Sequence, residues 1–261
     1  MPKKKINVIP CDSNWPKIFE AHADEIKAAL GENVIAVHHI GSTSIPGLCA
    51  KPAIDIICEV KDLKMAIRPI KSIGYEYRGT FNLLMRLFFS RKTPNDINLH
   101  VLKENDDEIQ RNLLFRNYLR ENKEARDLYA NTKLKLLAEN PGGFNLLPIG
   151  FTDYTTQKDE IIRRIVKMTG FSGYRFTIVT TDYESQTFKS LLNLDEIDYE
   201  NSNVFNLCLY KGVEIIAVAL VEVSETFSKA RIRKINALND ESKKMMMRKI
   251  EKWLEFKVAL L

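Results

Sequence analysis

The chain has 261 residues, of which 45% are hydrophobic and 28% are charged, proportions typical of a folded globular protein. This composition excludes a largely disordered chain, a collagen-like fibre and a small disulfide-stabilised protein. The formal net charge is +5, and all of the excess lies in residues 1–170, which hold 26 basic and 21 acidic residues. A mildly basic balance suits a phosphate-bearing ligand without requiring one. We expect three of the basic residues to lie in an N-terminal tail, namely Lys3, Lys4 and Lys5.

The sequence contains no export or membrane signal. Its longest apolar run, from Ile215 to Val221, has seven residues, whereas a membrane-spanning helix needs about 20. Polar residues follow the lysine-rich start, where a signal peptide would have an apolar core. The cysteines lack the CxxC spacing of zinc sites, so we interpret them as reduced thiols of a cytoplasmic protein. They are Cys11, Cys49, Cys58 and Cys208.

Helix and strand patterns follow one another through the first part of the chain. Apolar residues at helical spacing predict a helix that has Pro16 in its first turn and ends at Gly31. Strands are predicted at 34–40 and 53–60, and near 74–78, 82–90 and 96–102. The period then becomes helical, with one long or two successive helices over about 109–137 and a last helix at about 155–168. This mixture predicts an α/β (α+β) domain over residues 1–170.

The composition changes from Phe171 onward. The predicted order is strand, helix, three strands and helix, over 175–180, 182–192, 204–210, 213–223, 230–236 and 240–257. We therefore expect a second, small α/β domain over residues 171–261. Residues 195–225 hold seven acidic residues and one basic residue, whereas residues 229–257 hold ten basic and four acidic residues. The basic half is compatible with nucleic acid, although its interleaved apolar residues are equally typical of an ordinary amphipathic surface.

The strongest chemical signal is a polar turn between two predicted strands. The first strand has His39 just before its end at residue 40 and leads into Gly41–Ser44, and the next strand presents Asp55. Backbone N–H groups and hydroxyls in such a turn can hold phosphate oxygens, and glycine allows a ligand to approach the backbone closely. An aspartate on the neighbouring strand can hold a divalent cation that neutralises those phosphates. A polar turn beside an aspartate bonded to nearby backbone is the alternative on these residues alone.

The run HHIGSTSIPGLCAKPAIDI resembles the signature of the GrpB family, a branch of the nucleotidyltransferase superfamily. Supporting motifs extend the resemblance over about residues 6–168: Asn14-Trp15-Pro16, Asn98–Val101, Phe115–Arg120, and Tyr129 with Lys133. The resemblance implies a nucleotidyltransferase-like mixed sheet with flanking helices. It also implies that Gly41 and Ser42 hold the phosphates of a nucleoside triphosphate and that Asp55 binds Mg²⁺.

The sequence departs from the superfamily pattern at the metal ligands. Members generally use an Asp-x-Asp pair on the second strand, and a carboxylate on a later strand, to hold two Mg²⁺ ions. Here Ile57 stands where the second acid is expected, and the later strand offers Asn98 and His100. One aspartate and one histidine make a poor Mg²⁺ site. Nucleotide or phosphate binding is therefore better supported than nucleotidyl transfer, and the residues do not decide whether the protein is an enzyme.

Several further side chains are candidates for the same site. His39 is a candidate phosphate contact or acid–base group, and His100 is a candidate catalytic residue beside Asp55. For Arg86, a structural ion pair and a ligand contact are equally open, because an arginine among apolar residues needs an anionic partner. The candidate phosphate contacts are Thr43, Ser44, Lys51, Arg86, Arg116 and Lys133.

Three functions remain open from the sequence. The first is Mg²⁺-dependent nucleotide binding, with transfer of a nucleotidyl or phosphoryl group to an acceptor that the sequence does not name. The second is a non-catalytic module that binds a nucleotide or CoA. The third is an acetyltransferase, because the segment from 171 onward weakly resembles the GNAT acetyltransferases. Its 237–244 connection contains no glycine, unlike the loop whose N–H groups hold the CoA pyrophosphate in that family, so we interpret the segment as a degenerate GNAT-like domain.

Overall fold

The structure is a computed structural model that describes residues 2–147, 152–199 and 201–260. The chain divides into two compact units. Unit 1 comprises Met1–Phe81 and Arg86–Phe171, and unit 2 comprises Asn82–Met85 and Ser172–Leu261. Within the described ranges, no helix is long and apolar enough to cross a membrane.

Unit 1 contains a five-stranded mixed sheet flanked by helices. The five strands of this sheet are β2 (Val34–Ile40), β3 (Ala53–Val60), β4 (Glu76–Tyr77), β5 (Leu87–Arg91) and β6 (Asp96–Lys103), and a separate two-stranded sheet of unit 1 consists of β1 (Lys3–Lys4) and β7 (Phe144–Asn145). The helices of unit 1 are α1 (Trp15–Leu30), α2 (Ile67–Ser72), α3 (Asp107–Glu121), α4 (Lys123–Glu139), α5 (Asp153–Thr156) and α6 (Asp159–Met168). The sheet order is β2-β3-β6-β5-β4, in which β3 and β6 are parallel and the other neighbours antiparallel. The predicted α/β class with a mixed sheet is therefore confirmed.

The register of the sheet decides which side chains meet. Asp55 on β3 pairs with Ile40 on β2 and with Asn98 on β6. Because successive residues of a strand point to opposite faces, Asp55, Ile57 and Asn98 share one face, and His39 lies on the other. Ile57 is buried on its face in an apolar cluster with Ile40, Leu102 and Ile109 of α3.

The lysine-rich start does not form the tail that the sequence predicts. Lys3 and Lys4 form β1, which pairs antiparallel with β7. Gly143, just before β7, has a φ of +93°, and a Cβ at this position would lie 2.9 Å from the carbonyl carbon and oxygen of Lys4. Only glycine allows the two segments to approach so closely. This pairing joins segments about 140 residues apart, so local patterns in the sequence do not reveal it.

Unit 2 contains a four-stranded antiparallel sheet between two helices. Its elements are β8 (Tyr174–Ile178), α7 (Asp182–Leu192), β9 (Val204–Lys211), β10 (Glu214–Val223), β11 (Ala230–Ala237) and α8 (Asp240–Val258). The sheet order is β11-β10-β9-β8. Phe188 of α7 and Trp253 of α8 belong to two separate apolar clusters of this sheet. The segment 82–85 joins the β8 edge through a bridge between Leu83 and Thr177, so the strand predicted over 82–90 is divided between the two units.

Replacing Glu184 with glutamine is expected to destabilise unit 2. The Glu184 carboxylate is 1% exposed and accepts hydrogen bonds from the Thr177 and Tyr210 hydroxyls and from the Thr180 and Thr181 backbone N–H groups, at 2.7–3.0 Å. In glutamine, an amide NH₂ group replaces one carboxylate oxygen and would face hydrogen-bond donors where an acceptor is needed. We expect this mismatch to lower the free energy of unfolding by about 2 kcal/mol. Urea denaturation followed by circular dichroism should show a lower midpoint. The same change at exposed Glu241 serves as the control, and equal midpoints for both variants would contradict the expectation.

Candidate functional site

Gly41 places the turn after β2 directly against the Asp55 carboxylate. Its φ is +69°, a conformation that favours glycine. A Cβ at Gly41 would lie 2.3 Å from Asp55 Oδ2 and 3.0 Å from Asp55 Cβ and Cγ. The missing side chain is thus what allows this turn and this strand to meet. The Gly-Ser turn and the aspartate that the sequence singles out are brought together in the structure.

Asp55 lies among polar and charged side chains of both signs. Asn98 Nδ2 donates a hydrogen bond to Asp55 Oδ1 at 2.9 Å. Burial, and to a smaller extent the charge of Asp96, raise the pKa of Asp55, whereas the Asn98 hydrogen bond and the charges of Lys158 and Lys51 lower it. The ionised carboxylate is therefore stabilised by one hydrogen bond and by the charges of two lysines.

The side chain of Lys133, on α4, contacts the same turn. It is only 2% exposed, and its Nζ donates to Ser42 Oγ at 3.3 Å and to the carbonyl oxygen of Cys49. The ammonium also lies 4.9 Å from the centre of the buried Tyr129 ring. Burial lowers the pKa of Lys133 to about 8. The Ser42 hydroxyl is therefore hydrogen-bonded to a buried lysine that also lies against a buried tyrosine.

Lys158 is a member of this site that the sequence does not reveal. It immediately precedes α6, is half-buried, and its Nζ lies 4.3 Å from the centre of the Tyr154 ring. Burial and the charge of Lys133 lower the pKa of Lys158 to about 8, and Asp55 opposes them. No motif spacing links Lys158 to the turn, so only the fold reveals it. We call Lys51, Lys133 and Lys158 the lysine cluster.

Two arginines of α3 hold the turn through its backbone. Arg116 Nη1 donates to the carbonyl oxygen of His39 at 2.9 Å. Arg120 donates to the carbonyl oxygen of Ser44 through Nε at 3.0 Å and Nη2 at 2.7 Å, and the Ser44 hydroxyl donates to the Gly41 carbonyl at 2.6 Å. The structure thus places Arg116 and Ser44, both predicted phosphate contacts, in the bonding that fixes the turn.

His39 does not join Asp55, contrary to the sequence-based expectation. It lies on the opposite face of the sheet, 4.8 Å from the Phe19 ring in a stacked arrangement. Its Nε2 is hydrogen-bonded to Thr43 Oγ1 at 3.1 Å, and the Thr43 hydroxyl donates to the Ala53 carbonyl at 3.3 Å. Burial lowers the pKa of His39 to about 4, so the ring is neutral at pH 7. His39 Nε2 and the Thr43 hydroxyl are thus engaged with each other and with the backbone.

His100 lies on the same face as Asp55 but is engaged elsewhere. It pairs in register with Ile57, and its Nδ1 is hydrogen-bonded to Arg86 Nη1 at 2.9 Å. Arg86 also donates to the Thr80 carbonyl at 3.2 Å, and burial lowers the pKa of His100. His100 and Arg86 thus form a pair further along the sheet, next to the site and separate from the lysine cluster.

The residues fit one Mg²⁺ ion and do not fit two. Mg²⁺ is usually bound by one or two carboxylates together with substrate phosphates and water, and Asp55 with ligand phosphates meets that need. Ile57, at the position of a second acid, is 1% exposed and apolar. No group of three or more His, Cys, Asp or Glu side chains able to hold a metal occurs in the part of the chain that the structure describes.

Comparison with known proteins decides the family. Residues 5–168 match the sequence model of the GrpB family, described as GrpB protein. The chain belongs to the GrpB family. The match agrees with the resemblance over residues 6–168, which is thereby confirmed. The family match ends before most of unit 2, whose GNAT-like character stays a prediction.

Individual relatives support the same assignment. UPF0157 protein YqkA of Bacillus subtilis (strain 168) is 32% identical over 166 residues, which is 62% of this chain and 46% of YqkA. The chain therefore spans about half the length of YqkA. The solved structure of GrpB from Enterococcus faecalis is 34% identical, covers 62% of this chain and 96% of that chain, and has a TM-score of 0.55. The structure of Cid1 poly(U) polymerase is more distant, at 13% identity over 51% of this chain and 43% of that chain, with a TM-score of 0.37.

Proposed function

We propose that unit 1 of this GrpB-family protein binds a nucleotide through its phosphate groups, at Ser42 and the lysine cluster. The observation that carries the proposal is the turn that meets Asp55: the buried Lys133 ammonium donates to Ser42 Oγ at 3.3 Å, and the charges of Lys51 and Lys158 act on the Asp55 carboxylate. Burying like charges near one another is costly unless an anion compensates them. Phosphate oxygens are the complementary partner for these ammonium groups and for the Ser42 hydroxyl.

A single divalent cation completes the proposed site. Asp55 is the residue that would hold Mg²⁺, and a bound Mg²⁺ supplies further positive charge to neutralise the phosphates. Gly41 keeps the turn against Asp55, Asn98 orients the carboxylate through its hydrogen bond, and Arg116 and Arg120 fix the turn backbone. These contacts preorganise the turn for phosphate oxygens.

Binding without transfer is favoured over nucleotidyl transfer. Transfer through two metal ions needs several carboxylate oxygens. Asp55 supplies one carboxylate, and the apolar Ile57 occupies the position where a second acid is expected. A nucleotidyl transfer to an unknown acceptor is the second candidate, supported by the Gly-Ser turn next to Asp55. Release of pyrophosphate from a nucleoside triphosphate by the purified protein would favour transfer.

A thermal-shift panel tests the proposal. The full chain is heated with ATP, GTP, CTP, UTP or CoA, each with and without Mg²⁺. We expect at least one nucleotide to raise the melting temperature of the wild type, with a smaller rise in Asp55→Ala when Mg²⁺ is present. A Mg²⁺-dependent shift lost in the variant supports a metal-assisted site, and a Mg²⁺-independent shift kept in the variant supports a site formed by the lysine cluster alone. No shift with any compound would overturn the proposal.

Nucleotide affinity is expected to fall as the pH rises from 7 to 9. Lys133 and Lys158 have pKa values lowered to about 8, so both are mostly charged at pH 7 and mostly neutral at pH 9. Loss of a charge that the phosphates require should weaken binding by about tenfold for each lysine over this range. Titrations of ATP at several pH values measure the slope, which should be shallower in Lys158→Met. An affinity that stays constant between pH 7 and 9 would show that these lysines do not bind the phosphates.

A further inference from the structure

The solvent-facing side of α8 in unit 2 carries a regular row of cations. Lys244, Arg248 and Lys252 are four residues apart and all exposed, so they follow one side of the helix at intervals of about 6 Å. The opposite side of the helix is buried and comprises Met246, Ile250 and Trp253. We call Lys244, Arg248 and Lys252 the basic row. It faces away from the core of unit 2 and is open to a partner.

The cations of the basic row are unpaired in the described chain, although Glu241, Glu251 and Glu255 lie three residues from Lys244, Arg248 and Lys252 on the same helix. None of its three residues forms an ion pair or a hydrogen bond with another described side chain. The contrast is with the two exposed lysines of α4, which pair with acids one turn on, Lys123 with Asp127 at 2.5 Å and Lys135 with Glu139 at 3.7 Å. Like charges at this spacing destabilise a helix. A helix that served only to cover the sheet would gain from acids at these positions.

The composition of the row indicates the chemistry of its partner. Residues 229–257 hold ten basic and four acidic residues, so the cations are concentrated in this part of unit 2. The exposed residues of α8 include no aromatic side chain, whereas proteins that bind the bases of single strands stack them on aromatic rings. The phosphate backbone of a nucleic acid presents regularly spaced negative charges, and a protein can bind it without contacting the bases.

We propose that the basic row of α8 binds the phosphate backbone of nucleic acid without selecting its sequence. Lys244, Arg248 and Lys252 each contact a phosphate, and the surrounding basic residues add to the local positive potential. The proposal is independent of the nucleotide site of unit 1, since the two involve different residues in different units.

Fluorescence anisotropy with the full chain tests the proposal. The probes are a labelled 20-nucleotide single-stranded RNA and a duplex DNA of the same length, at 50 mM salt. We expect the triple variant Lys244→Glu, Arg248→Glu, Lys252→Glu to bind both probes at least tenfold more weakly than the wild type. In the wild type, three phosphate contacts give a slope of log affinity against log salt of about −2 to −3. That slope should approach zero in the variant.

Matched variants separate this result from a loss of folding or of net charge. Lys27→Glu, Lys123→Glu, Lys135→Glu changes the net charge equally at exposed lysines of unit 1 and should bind like the wild type. The glutamine version of the α8 triple variant retains a neutral polar helix and should also bind weakly. Three results would overturn the proposal: no binding of either probe, equal losses in both charge-reversal variants, or displacement of the probes by polyglutamate as readily as by unlabelled nucleic acid. Salt-sensitive self-association of the chain that depends on the basic row would instead identify a second copy as the partner.

Discussion

Replacing Gly41 with alanine is expected to abolish nucleotide binding and to lower the stability of unit 1. The added Cβ would lie 2.3 Å from Asp55 Oδ2 and 3.0 Å from Asp55 Cβ and Cγ, so either the turn or the aspartate must move. The residue also has a φ of +69°, which costs a non-glycine residue about 1 kcal/mol. Because the clash is with Asp55, we expect the variant to lose both the nucleotide-induced thermal shift and its dependence on Mg²⁺.

Gly47 provides a matched control for this variant. It belongs to the same loop and has a similar φ of +75°, yet a Cβ there would have no heavy atom within 4 Å. Gly47→Ala therefore carries the backbone strain without the clash. We expect it to lower the midpoint of unfolding slightly and to keep the thermal shift with nucleotide. Nucleotide binding by Gly41→Ala at wild-type affinity would contradict the proposed arrangement of turn and carboxylate.

Replacing Lys133 with methionine is expected to weaken nucleotide binding by at least tenfold with little change in the stability of the free protein. In the proposed site, the Lys133 ammonium donates a charge-assisted hydrogen bond to phosphate, and methionine cannot make this bond. In the free protein, the variant loses the hydrogen bonds to Ser42 and to the Cys49 carbonyl, at a cost of about 1–3 kcal/mol. It also no longer buries an ammonium group, which offsets that loss. The methionine keeps most of the apolar packing of the lysine stem.

Lys135 lies two residues further along α4 and tests the specificity of that effect. Its side chain is 74% exposed and forms an ion pair with Glu139 at 3.7 Å. Lys135→Met removes the same charge from the same helix and should leave nucleotide affinity unchanged. Isothermal titration of ATP into the three proteins, together with urea denaturation of each, measures both quantities. Equal affinities for Lys133→Met and Lys135→Met would show that the buried lysine does not contact the ligand.

The local patterns of the sequence predict most individual elements but not the long-range pairings. The helix that ends at Gly31 and the strands at 34–40 and 53–60 form α1, β2 and β3 as expected, because apolar periodicity is a local property. The pairing of β1 with β7 and the transfer of 82–85 to unit 2 depend on contacts between distant segments. The sequence does not predict α2 either, because its six residues include Pro69 and show no helical periodicity.

The candidate site shows a similar division between motif and fold. The turn at Gly41 and the acid at Asp55 follow from the motif, since the residue types themselves indicate the chemistry. Strand alternation places His38 and His39 on opposite faces, but only the sheet register shows that His39 is the one turned away from Asp55. Lys158 enters the site through the packing of the α6 region, and no spacing within the sequence points to it.

Direct titration of ATP with Mg²⁺ into wild type and Lys158→Met at pH 7 tests the central claim most directly, because Lys158 was identified by the fold alone. If the lysine cluster binds nucleotide phosphates, the wild type binds one ATP per chain, and the variant binds it at least tenfold more weakly while unfolding at a similar urea concentration. If the wild type shows no saturable binding of ATP, GTP, CTP or UTP, or if Lys158→Met binds ATP as tightly as the wild type, the claim is contradicted.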